Sequence, residues 1–532
     1  MRRWQLRRLS AEGNALVDRG DFKRAGLAAR RILQIDSERP EGMRILARIA
    51  ERFGSRTAIE LRQRVVSLGK PSTDDCYALA RTAITFGDLK IAQGALEKIP
   101  AGAKKTAEYH AQVADLALAR RDGVGVEREL SEAVRLDPTN KEFSFRLTLL
   151  RFGASDTAVR DKAREDLKAL QSDKNFRREA TRQLVREALQ QKDFPNALAL
   201  ARQLNGFPEK DFSDRLALLT VFHEAQDSAF QNSLAEVEST AASNPQNMAA
   251  LMIWLNTHAM SEEAVTWSKK LPAESLGQHP VPVALADAYI STRDWSNLER
   301  LTRNSSWGEM DFLRMALRAR AFREMGDMAK FTAEWNEAVK KVTPNGEKVE
   351  KLWKTADKWG WRGEAIALLW LGAKDSTRGE AALRTLYDYF VQSGDTQNLY
   401  RVLLHLQEMR PNDRDILNNV AQVSLLLGLN TERGHTIARD IYEKEPKNPT
   451  YVSTYAFALY LRDEAPKALK LFAALSAAQL REPTIALYYG IILAATGDGD
   501  RAAEFLDLGQ KARLLPEEKA LLEKARRSLA QR

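Results

Sequence analysis

Cysteine is almost missing: Cys76 stands alone in 532 residues. No intrachain disulfide and no cysteine-rich zinc site can form. The shortage fits a reducing compartment without excluding the periplasm. Histidine is also scarce. His110, His223, His258, His279, His405 and His435 are scattered, with no HExxH and no His-x3-His pair, so no metal site is expected. There is no GxxxxGK[ST] loop, no GxGxxG behind a strand and no GxSxG elbow. These absences remove the common phosphate-cradling and nucleophile-elbow enzymes. Carboxylates are plentiful, but they fall on helix faces and at caps, and no two stand out as an acid and a base. No catalytic residue and no cofactor is therefore expected, and the chain reads as a non-enzyme. No apolar run is long enough to span a membrane. Period-two alternation, the mark of a half-buried strand, is rare.

What is present is helical and charged. Hydrophobic residues make up 44% and charged residues 29%, a balance that excludes disorder. The net charge of +9 is thin over such a length. Its densest block is residues 1–36, where nine Arg/Lys face four acids.

One short motif organises the rest. GDFKRA at 20–25 returns as GDLKIA (87–92), KDFPNA (192–197), RDWSNL (293–298), GDMAKF (326–331), GDTQNL (394–399) and GDGDRA (497–502). The gaps between these joints are multiples of about 34 residues, the period of a helix–turn–helix repeat. The intervening segments have helical spacing, as in Leu79, Ala80, Ala83 and Phe86. Prolines follow apolar helical runs, as in RLDPTN (135–140), EMRPND (408–413) and EKEPKNP (443–449), where they act as stops. A glycine takes the left-handed conformation cheaply at the end of the first helix. The next Asp caps the second helix. A small residue (Ala25, Ala92, Ala197, Ala502) then lets the two helices approach.

These features resemble the tetratricopeptide repeat. The unit beginning at Phe312 carries that family's pattern in Ala319, Gly326-Asp327, Trp335 and Ala338, with Pro344 one place late. EAVRLDPTN (132–140) is similar to the family's second-helix exit. The resemblance implies an all-α fold, an α-solenoid superhelix of about fifteen antiparallel helix pairs over 1–514. The units near 155–175 and 262–275 lack the Gly-Asp joint. A proline-rich loop at 269–283 is expected to act as a hinge between two halves. Residues 515–532 are expected to form a capping helix over an exposed repeat edge. Nine of the ten tryptophans lie within 254–370. Most are expected in the core, with Trp307 the exposed exception.

Ligands in this family usually lie on first-helix positions that here fall on Asp74, Tyr77 and Arg81; on Glu179, Arg182, Arg186 and Leu189; on Arg320 and Arg323; and on Arg384 and Asp388. From these, Tyr77, Arg81, Arg182, Arg186, Arg320, Arg323, Arg384 and Asp388 are the expected partner-binding residues. The family's carboxylate clamp is not expected, because Ser10 and Asn14 stand at its positions. The resemblance implies a protein–protein interaction scaffold that takes partner proteins or peptides, acidic segments among them, on its concave face. The alternative is a helical-repeat RNA-binding protein. WQLRRLSAEGNALVDRGDFKRAGLAARRILQID (4–36) also resembles the first repeat of bacterial envelope members, in which a transmembrane helix directly precedes it. The chain as it stands is expected to be soluble and cytoplasmic, or to sit at the envelope or in the periplasm if an anchor precedes Met1.

Overall fold

The computed structural model describes residues 2–68, 71–303, 306–343 and 345–531, without the side chains of Arg2 and Arg3. Pro344 and the first three side chains of the basic block lie outside the described residues.

The apolar spacing does build helices. Fifteen helix pairs follow one another, from Arg2–Asp18 with Phe22–Ile35 to Pro483–Thr496 with Gly499–Gly509. A single helix, Pro516–Ala530, comes last, and Ala273–Leu276 and Ala477–Leu480 are short additional turns. Among the described residues there is no strand. No helix among them is long and apolar enough to cross a membrane. Within each unit consecutive helices pack on one another, as Arg2–Asp18 does on Phe22–Ile35 and Asp311–Glu324 on Met328–Val342. First helices also pack on first helices of the next pair, as Thr73–Thr85 does on Ala107–Ala119 and Arg177–Gln190 on Phe212–Glu224. This nearest-neighbour packing makes the fold an all-α solenoid.

The chain divides into two compact units, Met1–Leu251 and Met252–Arg532. The first holds seven pairs and the start of the eighth. The second holds the remainder, including segment 269–283 with its short helix Ala273–Leu276.

The joint is more regular than its letters. Fourteen of the fifteen pairs turn on a residue of positive φ, at 20, 54, 87, 121, 192, 226, 259, 293, 326, 360, 394, 428, 463 and 497. The pair near 155 turns without one: Gly153 has φ −88° and Asp156 caps the second helix. The pair near 262 keeps the left-handed turn on Ala259, at φ 59°. The Asp caps at most of these joints: Asp21 Oδ1 accepts from the Arg24 N–H at 3.1 Å and Asp395 Oδ1 from the Asn398 N–H at 3.0 Å, whereas Asp88 and Asp498 stand at the cap position without a side-chain capping bond. Ala25, Ala92, Ala197 and Ala502 are fully buried between their helices.

Where a side chain occupies the left-handed slot, the backbone is strained by about 1–2 kcal/mol. Lys192, at φ 58°, is such a case. Lys192→Gly should stabilise its pair by about 1 kcal/mol after the added unfolded-state entropy is counted. The check is slower hydrogen exchange in the helices Arg177–Gln190 and Phe194–Gly206.

Trp254, Trp267, Trp335 and Trp361 are buried as expected. Trp307 corrects the expectation, for it is only 3% exposed. Its backbone N–H donates to Asp311 Oδ1 at 2.9 Å, and its ring meets His279 edge-on at 5.8 Å. Anchoring the loop to the first turn of the helix Asp311–Glu324 draws the indole inward.

Candidate interaction surface

In the first unit the expected residues separate. Tyr77 is 5% exposed, and burial pushes its hydroxyl above the ordinary tyrosine range. Arg81, one turn along the same helix, is exposed and makes no ion pair among the described residues. It lines a cavity of about 310 Å³ with Glu51, Arg62, Thr82, Thr85 and Phe86. Arg182 is committed internally: its Nε donates to Asp214 Oδ1 at 2.5 Å and an Nη to Asp211 Oδ1 at 2.8 Å. Arg178 Nε takes the other Asp214 oxygen at 2.9 Å, and Asp214 itself is fully buried. Arg186 is exposed and, among the described residues, donates to Gln183 at 2.7 Å and to no carboxylate.

The Arg182 arrangement recurs. Arg44 grips Asp75 with two bonds of 2.7 Å, 31 residues on. Arg177 grips Glu209 at 2.6 and 2.7 Å, 32 residues on. That fork pulls the Glu209 carboxyl down to about 2. In a 34-residue repeat, a first-helix side chain finds its neighbour's first helix about one repeat later. Paired forks of this kind are strong and directional.

In the second unit, Arg323 donates to Glu364 at 2.9 Å and lies over the rings of Phe331 and Trp361. Arg384 turns back to Glu380, at 2.8 and 3.0 Å, rather than forward to Asp388. Asp388 is exposed and makes no ion pair among the described residues. Nor does Arg320 find a carboxylate partner among them. Its guanidinium sits over Trp359 at 4.8 Å and Trp295 at 5.6 Å.

Sequence reasoning missed one feature entirely. The final helix Pro516–Ala530 packs on the fifteenth pair, as a cap would, and also on the helix Arg414–Leu427 of the thirteenth. Leu522 and Ala525 join the core of the last three pairs, and Leu515 packs on a separate cluster around Leu399 and Leu403. Thr396, 121 residues upstream, donates to Glu517 Oε2 at 2.6 Å. Glu518 is buried, accepting from Tyr488 Oη at 2.6 Å and from the Leu515 N–H at 2.8 Å. Gln422 Nε2 completes the chain to Tyr488 Oη at 2.9 Å. A cavity of about 170 Å³ remains beside the helix, lined by Thr450, Ser453, Thr484, Tyr488, Arg513 and Glu518. The first helices of the thirteenth and fifteenth pairs are thus covered by the chain's own helix. Its signal in sequence is the apolar stripe Leu515, Leu522, Ala525 and Leu529, but the stripe does not reveal the distance it reaches back.

Burial pushes the Glu518 carboxyl above its ordinary value near 4.5, against the pull of its hydrogen bonds. A carboxyl raised on folding adds stability below its unfolded value, and that contribution is lost as pH climbs through the folded value. The helix should therefore hold more tightly on the acid side. Glu518→Gln should flatten the dependence of the thermal midpoint on pH above the ordinary carboxyl range, as read by circular dichroism. An identical pH profile in both proteins would refute the assignment.

No family model and no curated protein matches the chain. Solved structures are similar at a distance. One, the crystal structure of the APC/C hetero-tetramer Cut9–Hcn1, has 12% sequence identity and a TM-score of 0.29, covering 93% of this chain and 94% of that one. At that score the fold assignment rests on the helix pairs themselves.

Proposed function

We propose that the chain is a non-enzymatic scaffold of tetratricopeptide type, which binds proteins or peptides with acidic segments along its row of first helices. The supporting observation is selective neutralisation. Arg44, Arg178, Arg182 and Arg323 are held by carboxylates of neighbouring repeats. Arg81, Arg186 and Arg320 have no carboxylate partner among the described residues. A free guanidinium on a rigid helix is suited to bidentate capture of a carboxylate. Envelope association belongs to the same proposal, supported by Trp4, 66% exposed on a helix with Arg7 and Arg8.

The test is binding of the full chain to immobilised acidic peptides, with Arg81→Glu, Arg186→Glu and Arg320→Glu compared singly. Reduced binding in at least one variant supports the row. Unchanged binding in all three sinks it. The RNA reading would instead show retention of oligonucleotides that falls steeply with salt.

A further inference from the structure

Four arginines project from one helix, Asp311–Glu324, and three are neutralised. Arg314 Nε donates to Asp311 at 2.9 Å and an Nη to the Thr302 carbonyl at 2.7 Å. Arg318 bridges Glu299 at 3.1 Å and Glu334 at 2.8 Å. Arg323 holds Glu364. Arg320 is the exception, and its setting differs in kind. Trp295, from the second helix of the preceding pair, and Trp359, from the end of the first helix of the following pair, both contact its guanidinium. Its Nε is sealed from solvent without a hydrogen-bond partner. Burial lowers its pKa from the usual arginine value.

A guanidinium carries five donors in a fixed plane, and here none meets an acceptor among the described residues. Two indoles fix that plane and supply cation–π attraction, so little side-chain freedom is left to lose on binding. A cation part-buried without a counter-charge destabilises the free protein. An incoming anion would relieve that penalty.

The surroundings select the anion. Asp287 and Glu324 are the acidic groups whose charge reaches Arg320. Asp287 makes no ion pair among the described residues. Its carboxylate is open to solvent yet deep among neighbouring atoms, and burial raises its pKa despite the nearby charges of Lys358 and Arg320. A polyphosphate backbone would meet Asp287 and Glu324 as repulsion. A single carboxylate fits the open edge of the fork, and Asp287 can then accept N–H groups of the same peptide.

Resting on the scaffold reading above, we propose that Arg320, clamped between Trp295 and Trp359, is the receptor for one carboxylate of an acidic partner peptide, with Asp287 setting the selectivity against nucleic acid.

The probe is a fluorescein-labelled peptide of alternating Glu and Ala with a blocked C-terminus, titrated into the full chain by anisotropy. Its Gln counterpart and an oligouridylate of equal length are run at the same salt. Arg320→Met should weaken the Glu peptide about ten- to hundredfold. Arg320→Lys should recover only part of that loss, because a point charge lacks the fork. Asp287→Asn, at a solvent-facing carboxylate with no partner to lose, should tighten the Glu peptide and raise oligouridylate binding, each by about two- to fivefold. The opposite signs protect the test from a folding artefact. Equal binding by wild type and Arg320→Met, or no gain in Asp287→Asn, overturns the site while the scaffold reading stands. Failure of the wild type to prefer Glu over Gln peptides overturns both. Oligouridylate binding as tight as the Glu peptide favours the RNA reading and overturns the proposed selectivity.

Discussion

Asp214→Ala should cost the junction between the sixth and seventh helix pairs about 3–5 kcal/mol. Asp214 is fully buried, and both its oxygens are used, by Arg178 and Arg182. It also accepts from the Asp211 N–H at 2.9 Å, within a reciprocal cap in which Asp211 accepts from the Asp214 N–H. Alanine leaves two part-buried guanidinium groups facing one fewer counter-charge and removes half of that cap. A solenoid is coupled only to its neighbours, so the loss should stay local. Hydrogen exchange should accelerate in the helices Arg177–Gln190 and Phe212–Glu224 and remain unchanged in the helices Arg2–Asp18 and Phe22–Ile35. Arg182→Met should cost less, because Arg178 remains. Acceleration spread evenly along the first unit, or none at all, would contradict this account.

Gly509→Ala should be nearly as damaging for a different reason. A Cβ at Gly509 would lie 2.6 Å from Leu487 Cα and 2.8 Å from Leu487 N. Its counterpart Gly490 would place one 2.9 Å from Leu506 N. The helices Pro483–Thr496 and Gly499–Gly509 therefore touch backbone to backbone through two reciprocal glycines. No side-chain rotation can relieve a clash with main chain. The expected loss is about 1–3 kcal/mol or more. The final helix packs on both members of this pair, so it should loosen with them, giving faster tryptic cleavage after Arg513 and Lys519. Gly26→Ala is the control. Its nearest atom beyond the helix backbone is 4.0 Å away, and alanine there should stabilise by about 0.5–1 kcal/mol.

Much of the architecture was legible because the joint has one physical requirement, a single left-handed residue between two helices. Gly-Asp marks that residue in only some pairs. Arg121, Gln226, Ala259 and Asp463 meet the requirement without glycine, so the lattice is fuller in structure than in sequence. The interaction surface was less legible. Arginines were read along single helices, whereas Arg182 finds Asp214 thirty-two residues away. A search for carboxylates one repeat downstream of each first-helix arginine would have found that pairing. Arg320 was on the expected row, but its two tryptophans come from the pairs on either side. Trp307 was misread because loop position argues for exposure, while its contacts with Asp311 and His279 hold it inside.

The forks between adjacent repeats also differ from one junction to the next. Arg44 requires an acid at Asp75, Arg177 one at Glu209, and Arg178 with Arg182 one at Asp214. A pair transplanted elsewhere in the array would keep its hydrophobic faces but meet a mismatched charge at its new border. The units are therefore not interchangeable beads. Their sequential order is written into the junctions, and a helix pair docked one unit out of place would leave these arginines without their acids.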